Sequence, residues 1–129
     1  MKALVRNLTF FFPAIIWGLI ILYLSSSSGV QFPASFWDFL AVDKLGHLIF
    51  YGILTYLIGL GFYKTKNQFI NKKTLFISLI ISTCYGICME LMQYSFFPNR
   101  YFEILDIIAN ISGSIVGILF FKYIYYKTR

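Results

Sequence analysis

Residues 104–121 read ILDIIANISGSIVGILFF and decide the fold class of the chain. Their length is near the roughly 20 residues that a helix needs to cross about 30 Å of hydrocarbon. Asp106 and Asn110 are four residues apart, so on a helix they share a stripe that continues into Gly113 and Gly117. The two glycines form a GxxxG motif, which permits close approach of a second helix. We therefore predict a membrane-spanning helix whose polar and glycine-bearing face points to other helices.

Three more apolar stretches precede this one, at about residues 8–24, 45–62 and 74–94. Only helices or closed barrels span a membrane, and these stretches are too long and too evenly apolar for barrel strands. Of the 129 residues, 59% are hydrophobic and 12% are charged, which is more apolar surface than a soluble domain of this size buries. We predict an all-α membrane protein, a single transmembrane domain over residues 1–129 folded as a four-transmembrane-helix bundle.

The basic residues lie in three clusters that set the predicted orientation. The clusters precede the first span, separate the second from the third, and follow the fourth. Their members are Lys2, Arg6, Lys64, Lys66, Lys72, Lys73, Lys122, Lys127 and Arg129. The positive-inside rule places all three clusters, and with them both termini, in the cytoplasm. The same clustering argues against nucleic acid as the partner that the net charge of +6 would otherwise suggest.

The first stretch also has an interpretation as a secretory signal peptide. Lys2 and Arg6 precede its apolar core, and a serine run at residues 25–28 follows it. We favour a retained helix, because the later spans need an in-to-out partner to set their orientation.

Both predicted outer loops are rich in aromatic side chains. Residues 33–42 read PASFWDFLAV, which suits a short helix lying in the membrane interface. Residues 94–102 read YSFFPNRYF, with a turn signal at Pro98-Asn99. Aromatic residues favour the headgroup layer, so both loops are predicted to lie against the membrane surface.

With this topology, every acid and the single histidine lie toward the outer side of the membrane. They are Asp38, Asp43, Glu90, Glu103, Asp106 and His47. At 1.5 Å per residue Glu90 lies about 24 Å across the third helix, level with the first turns of the second and fourth. Three separate segments thus bring polar groups to one depth, and ionisable groups inside a membrane are a functional hypothesis by default.

Helical spacing also places these side chains on shared faces. Asp43, His47 and Tyr51 follow an i, i+4, i+8 pattern, and Glu90 and Gln93 follow i, i+3. Asp43 also suits the N-cap of the second helix. The two acids in the predicted loops, Asp38 and Glu103, are interpreted as ordinary interfacial charges.

A purely structural network is the alternative. Lys44 or Arg100 would neutralise Asp106 or Glu90, and His47 would donate to a carboxylate. Such pairs lock helices together and need not perform any chemistry.

Five fragments, in order along the chain, carry a family resemblance. They are Tyr23-Leu24-Ser25-Ser26, Asp43-Lys44-Leu45-Gly46-His47 with Tyr51, Glu90-Leu91-Met92-Gln93-Tyr94, Pro98-Asn99-Arg100 and Asp106-Ile107-Ile108-Ala109-Asn110-Ile111-Ser112-Gly113. Together they resemble the VanZ-like family of small bacterial membrane proteins, which is named for a protein linked to low-level resistance to teicoplanin, a lipid-tailed glycopeptide. The resemblance implies a location in the bacterial plasma membrane and a role in the cell envelope, without defining a reaction.

Two functional hypotheses follow from the site. An enzyme acting on an envelope lipid or lipid-linked substrate would use His47 as acid or base, since the ordinary pKa of histidine is nearest neutral. Glu90 or Asp106 would complete its catalytic group, and Arg100 would hold a phosphate. A non-catalytic binder would hold a headgroup, a cell-wall precursor or a lipoglycopeptide in the same cleft. In both, the predicted ligand contacts are Asp43, Lys44, Tyr51, Gln93, Arg100 and Asn110.

A metal centre is a third hypothesis. His47, Glu90 and Asp106 carry suitable donor atoms. The chain has one histidine and no HExxH spacing, so we predict neither a metal nor another cofactor. The sequence pattern does not indicate an oligomeric state.

Overall fold

The computed structural model describes residues 1–26, 36–98 and 100–127, and the side chains in these ranges except those of residues 36–41, 126 and 127. Five helices follow one another along this part of the chain. They are α1 (Lys2–Thr9), α2 (Phe12–Ser26), α3 (Phe36–Thr65), α4 (Lys72–Phe96) and α5 (Ile104–Lys127). The predicted all-α class is confirmed for the described residues.

Three of these helices are long and apolar enough to cross a membrane. The qualifying segments are Val42–Thr65 of α3, Lys72–Phe96 of α4 and Ile104–Tyr125 of α5. They contain the predicted spans over residues 45–62, 74–94 and 104–121, so the second, third and fourth predicted spans correspond to single helices.

The first predicted span, over residues 8–24, is not one straight helix. α1 and α2 meet at an angle of 50° across a break after Thr9, and the two together have the length and composition of one further span. Pro13 explains the break, because a proline ring clashes with the carbonyl group four residues earlier, here that of Thr9. The described residues therefore contain three segments with the length and composition to cross a membrane, or four if the bent pair crosses as a unit.

α3 begins at an earlier residue than predicted. Residues 36–42, part of the expected interfacial helix, are continuous with α3, which begins at Phe36. Residues 33–35 of that expected helix lie outside the described ranges.

Glycine residues set the distance between α3 and α5, the helix pair with the most extensive contact. A methyl group added at Gly113 would overlap the carbonyl oxygen of Leu48, and one at Gly117 would overlap that of Gly52. The backbones therefore touch where side chains would keep them apart. The prediction that the glycine-bearing face of the last helix points to another helix is confirmed.

Buried hydroxyl groups connect α4 to this pair. The Ser114 hydroxyl donates to Ser82 Oγ at 3.1 Å, and the Ser82 hydroxyl donates to the Tyr51 carbonyl at 3.4 Å. Such small polar residues support helix association in lipid, where the hydrophobic effect gives no drive.

Two aromatic side chains attach α2 to the rest of the bundle. Trp17 Nε1 donates to the Phe50 carbonyl at 2.9 Å, and the Tyr85 hydroxyl donates to the Gly18 carbonyl at 2.6 Å. These contacts hold α2 against α3 and α4 although α2 is only 15 residues long.

Replacing Gly113 and Gly117 together by leucine is predicted to separate α5 from α3. Overpacking of this kind costs roughly 1–3 kcal/mol per site, so the free energy of unfolding in detergent should fall by at least that amount. Replacing Ile115 and Leu119, both exposed, by alanine is the matched control and should change it little. Full stability of the double leucine variant would show that the glycine contact does not hold the bundle.

Candidate functional site

An ion-pair cluster lies where α3 and α5 begin, and we call it the lysine cluster. It consists of Lys44 and three carboxylates, those of Asp43, Glu103 and Asp106. Lys44 Nζ lies 2.9 Å from Asp43 Oδ2 and 2.5 Å from Glu103 Oε2, and it also pairs with Asp106 Oδ1. An ammonium group has three hydrogens to donate, and each carboxylate receives one. The four groups carry a formal charge of −2.

Local helix geometry explains why these groups meet. Asp106 lies in the first turn of α5, where the helix dipole favours an anion. Lys44, which contacts Asp106 in space, follows Asp43 in the sequence. It lies one helical turn before Leu48, whose carbonyl oxygen contacts Gly113. The glycine contact therefore brings the first turns of α5 within side-chain reach of α3.

His47 bridges α3 to α5 beside the lysine cluster. Its Nδ1 lies 2.9 Å from Asn110 Oδ1. An amide oxygen only accepts hydrogen bonds, so in this contact Nδ1 carries the hydrogen, and in the neutral ring Nε2 then presents a lone pair. The His47 ring is nearly parallel to that of Tyr51, with ring centroids 6.3 Å apart and planes at 2°.

The lone pair of His47 faces two carboxylates. Nε2 lies 3.8 Å from Asp43 Oδ1 and 3.8 Å from Asp106 Oδ2, which is beyond hydrogen-bond distance. Asp43, His47 and Asp106 are the group of possible metal ligands in the described part of the chain, with ligand atoms within 4.8 Å of one another. The metal hypothesis of the sequence analysis contained Glu90 where the structure has Asp43, which precedes His47 by one helical turn.

Glu90 lies in the bundle interior. It is 1% exposed, and its Oε1 accepts no hydrogen bond from the residues that the structure describes. It stands one turn beyond Gly86, whose missing side chain leaves room for Asn110 and Tyr51. We expected a polar partner for both intramembrane acids; Asp106 has Lys44, and none is seen for Glu90 Oε1 among the described residues. A buried carboxyl without a partner is costly, so this position is a candidate for function.

Two predicted ligand contacts lie apart from the lysine cluster. Gln93 is buried and its Nε2 donates to the Ser25 carbonyl at 3.2 Å, so it joins α4 to the end of α2. Arg100 is partly buried and forms no hydrogen bond or ion pair with any described residue. The structure thus brings His47 next to Asp106, whereas neither Glu90 nor Arg100 is bonded to either residue.

Glu103 is the site residue that the sequence analysis missed. Its pairing with Lys44 contradicts its interpretation as an ordinary interfacial charge. The available signal was its spacing of three residues from Asp106, which places both acids on one side of the start of α5.

An apolar cavity of about 380 Å³ lies between α2, α3 and α4. Its walls include Ile15 and Gly18 of α2, Leu54 and Ile58 of α3, and Tyr85 of α4. Tyr85 is five residues before Glu90, which is about 7.5 Å along a helix. The Tyr85 wall of the cavity is therefore within about two helical turns of Glu90, whereas Leu54 lies ten residues, or about 15 Å, along α3 from Lys44.

These features define a small helical membrane protein with ionisable groups held between its helices. The sequence model of the VanZ/LLP1 family matches residues 1–125, and the chain belongs to this family. No curated protein and no solved structure shows a significant match to it. The resemblance of the motif fragments is confirmed at the level of the family.

Replacing Lys44 by methionine is predicted to cost about 3–5 kcal/mol in free energy of unfolding, because it leaves Asp106, 9% exposed, as a buried charge without a partner. Glu103→Gln changes the same cluster, but the Glu103 side chain is 44% exposed and its loss should cost about 1 kcal/mol or less. Denaturation of both variants in mixed micelles measures the difference. Equal losses would contradict the account of Lys44 as the group that neutralises Asp106.

Proposed function

We propose that the chain acts at the outer face of the bacterial plasma membrane on a lipid or lipid-linked ligand of the cell envelope. The observation that carries this proposal is that one bundle holds both a partly buried polar cluster, where α3 and α5 begin, and an apolar cavity between α2, α3 and α4. Ligand sites combine apolar walls with a few convergent polar groups. The cavity would bind an acyl or prenyl chain, and the ionisable groups where α3 and α5 begin would bind the headgroup.

The charge of the lysine cluster limits the headgroup class. A formal charge of −2 repels a phosphate and favours groups that donate hydrogen bonds, such as sugar hydroxyls or amines. Arg100 would provide the phosphate contact, since a guanidinium group suits phosphate geometry. It precedes Glu103 by three residues, a distance of at most about 11 Å along the backbone.

These contacts support a lipid-linked saccharide of the cell-wall precursor type as the ligand. A protein that binds or modifies such a molecule at the outer face is positioned to influence a lipid-tailed glycopeptide. We therefore include a contribution to teicoplanin resistance, which the family resemblance implies, in the proposal.

A structural role is the second candidate, and the ion pairs of Lys44 favour it. Lys44 connects α3 to Glu103, ahead of α5, and to Asp106 within it. A network that only locks helices needs no ligand. The ligand experiment below separates the two functions.

The proposed orientation requires α1 and α2 to cross the membrane as one bent unit, with the polar level outside. We predict that a single cysteine at position 31 or 99 is labelled from outside the cell and that one at position 68 is not, because the basic loop before α4 is held in the cytoplasm. Cys84 and Cys88, both exposed and free, are first replaced by alanine. External labelling at position 68 would reverse the orientation and place the site inside the cell.

The ligand proposal predicts separable effects on binding to the full chain in detergent, measured by native mass spectrometry. Two probes are used, a polyprenyl pyrophosphate carrying a sugar and the same lipid without the sugar. Arg100→Gln should weaken both by about tenfold, as expected for one charge-assisted hydrogen bond. Gly18→Leu, which fills the cavity, should also weaken both, whereas Asp43→Asn should reduce the preference for the sugar.

Leu119→Ala, on an exposed face of α5, is the control and should bind as the parent chain does. Parent-like binding by all three site variants would support the structural role instead. His47→Asn then distinguishes an enzyme from a binder, because an enzyme would lose turnover of the bound lipid while a binder would keep part of its affinity.

A further inference from the structure

Three electron-pair donors converge between α3 and α5. They are His47 Nε2, Asp43 Oδ1 and Asp106 Oδ2, with each oxygen 3.8 Å from the nitrogen. Each of the three residues offers a ligand atom within 4.8 Å of those of the other two. The other carboxylate oxygens, Asp43 Oδ2 and Asp106 Oδ1, are bound by Lys44. Lys44 therefore holds both carboxylates with their remaining oxygens near the imidazole.

The hydrogen bond from His47 to Asn110 makes this arrangement specific for a cation. With Nδ1 bonded to the amide oxygen, the neutral imidazole has no hydrogen on Nε2, and its lone pair and those of the two carboxylate oxygens face one another. Asn110 is 1% exposed and is packed where Gly86 leaves room for it. A histidine that binds a metal usually donates its other ring hydrogen to an oxygen in this way.

We propose that Asp43, His47 and Asp106 bind one divalent transition-metal ion. The two ligand carboxylates, those of Asp43 and Asp106, carry a formal charge of −2, which equals the charge that such an ion neutralises. Ligand atoms in a tetrahedral zinc site with bonds of about 2.0–2.2 Å lie about 3.3–3.6 Å apart. The observed separations of 3.8 Å from Nε2 to each oxygen need to close by only a few tenths of an ångström.

The donor set selects the class of ion. One imidazole nitrogen and two carboxylate oxygens suit zinc, cobalt or manganese, whereas magnesium and calcium favour sites made only of oxygen. Two protein groups complete the surroundings, with Asn110 orienting the imidazole and Lys44 orienting the carboxylates. The metal site shares Asp43 with the proposed lipid-linked ligand, but zinc binding is measured without that lipid, so the inference stands if the lipid fails to bind.

Zinc titration of the purified full chain tests the inference. The affinity tag is removed, so that His47 is the single histidine, and chelator-treated protein is titrated in competition with a zinc indicator. One equivalent should bind. Asp43→Asn, His47→Asn and Asp106→Asn should each lower the affinity by at least about 30-fold, and Asn110→Leu by about tenfold, the loss typical of a group that orients a ligand.

Glu103→Gln is the matched control, because it removes one negative charge from the same lysine cluster but offers no atom to the ligand group. Its affinity should stay within about threefold of the parent. X-ray absorption of the zinc-loaded parent chain should show one imidazole ligand per ion, a result that does not depend on whether a variant folds. Absence of stoichiometric binding, an absorption spectrum without imidazole, or equal losses in the His47 and Glu103 variants would overturn the inference.

Discussion

The close contact of α5 with α3 at Gly113 and Gly117 is the constraint on which the rest of the structure depends. Lipid is as apolar as the helix surfaces, so association in a membrane relies on packing and polar contacts. Glycine permits the two backbones to touch, and Gly86 permits α4 to approach the same pair at Asn110 and Tyr51. A side chain at any of these positions would separate the helices and displace the polar groups that lie where α3 and α5 begin.

Polar groups at this depth are tolerated because most of them are paired. Lys44 forms ion pairs with three carboxylates, and His47 is hydrogen-bonded to the side-chain amide oxygen of Asn110. Breaking a pair of this kind leaves a buried charge, which costs more than the pair itself contributes. Among the described residues three buried polar atoms depart from this rule, Thr83 Oγ1, Asn110 Nδ2 and Glu90 Oε1. The carboxyl group of Glu90 is the costliest of them to bury unpaired, which makes it the candidate for function.

The excess of negative charge gives the site its chemical character. Three carboxylates around one ammonium group leave a field that attracts cations and hydrogen-bond donors and repels free phosphate. An anionic ligand therefore needs a separate contact, which is why the proposal assigns phosphate to Arg100. A metal ion at His47 would remove the excess charge.

Much of the fold followed from local patterns in the sequence. Helical spacing placed Asp43 with His47 and Asp106 with Asn110, and hydropathy located the spans that became α3, α4 and α5. The break before α2 was not predicted although Pro13 indicates it, because hydropathy measures apolar content and does not report a change in helix direction.

The site was predictable only in part, for a physical reason. Spacing along one helix fixes which residues share a face, but not which residue of a neighbouring helix that face meets. The pairing of Lys44 with Glu103 and the isolation of Glu90 depend on the register between helices, which is set by the glycine contact. The expected contact between Arg100 and the polar centre likewise depends on a loop whose path helical periodicity does not determine.

The state of the His47 ring tests the account most directly, and the chain is suited to it because it has one histidine. Nitrogen-15 NMR of histidine-labelled protein in bilayers, at a pH well above the ordinary histidine pKa of about 6.5, reports which ring nitrogen carries the hydrogen. The account predicts hydrogen on Nδ1, with Nε2 bare, and loss of this preference in Asn110→Leu. Hydrogen on Nε2 in the parent chain would contradict the bond to Asn110 that joins α3 to α5 beside the lysine cluster.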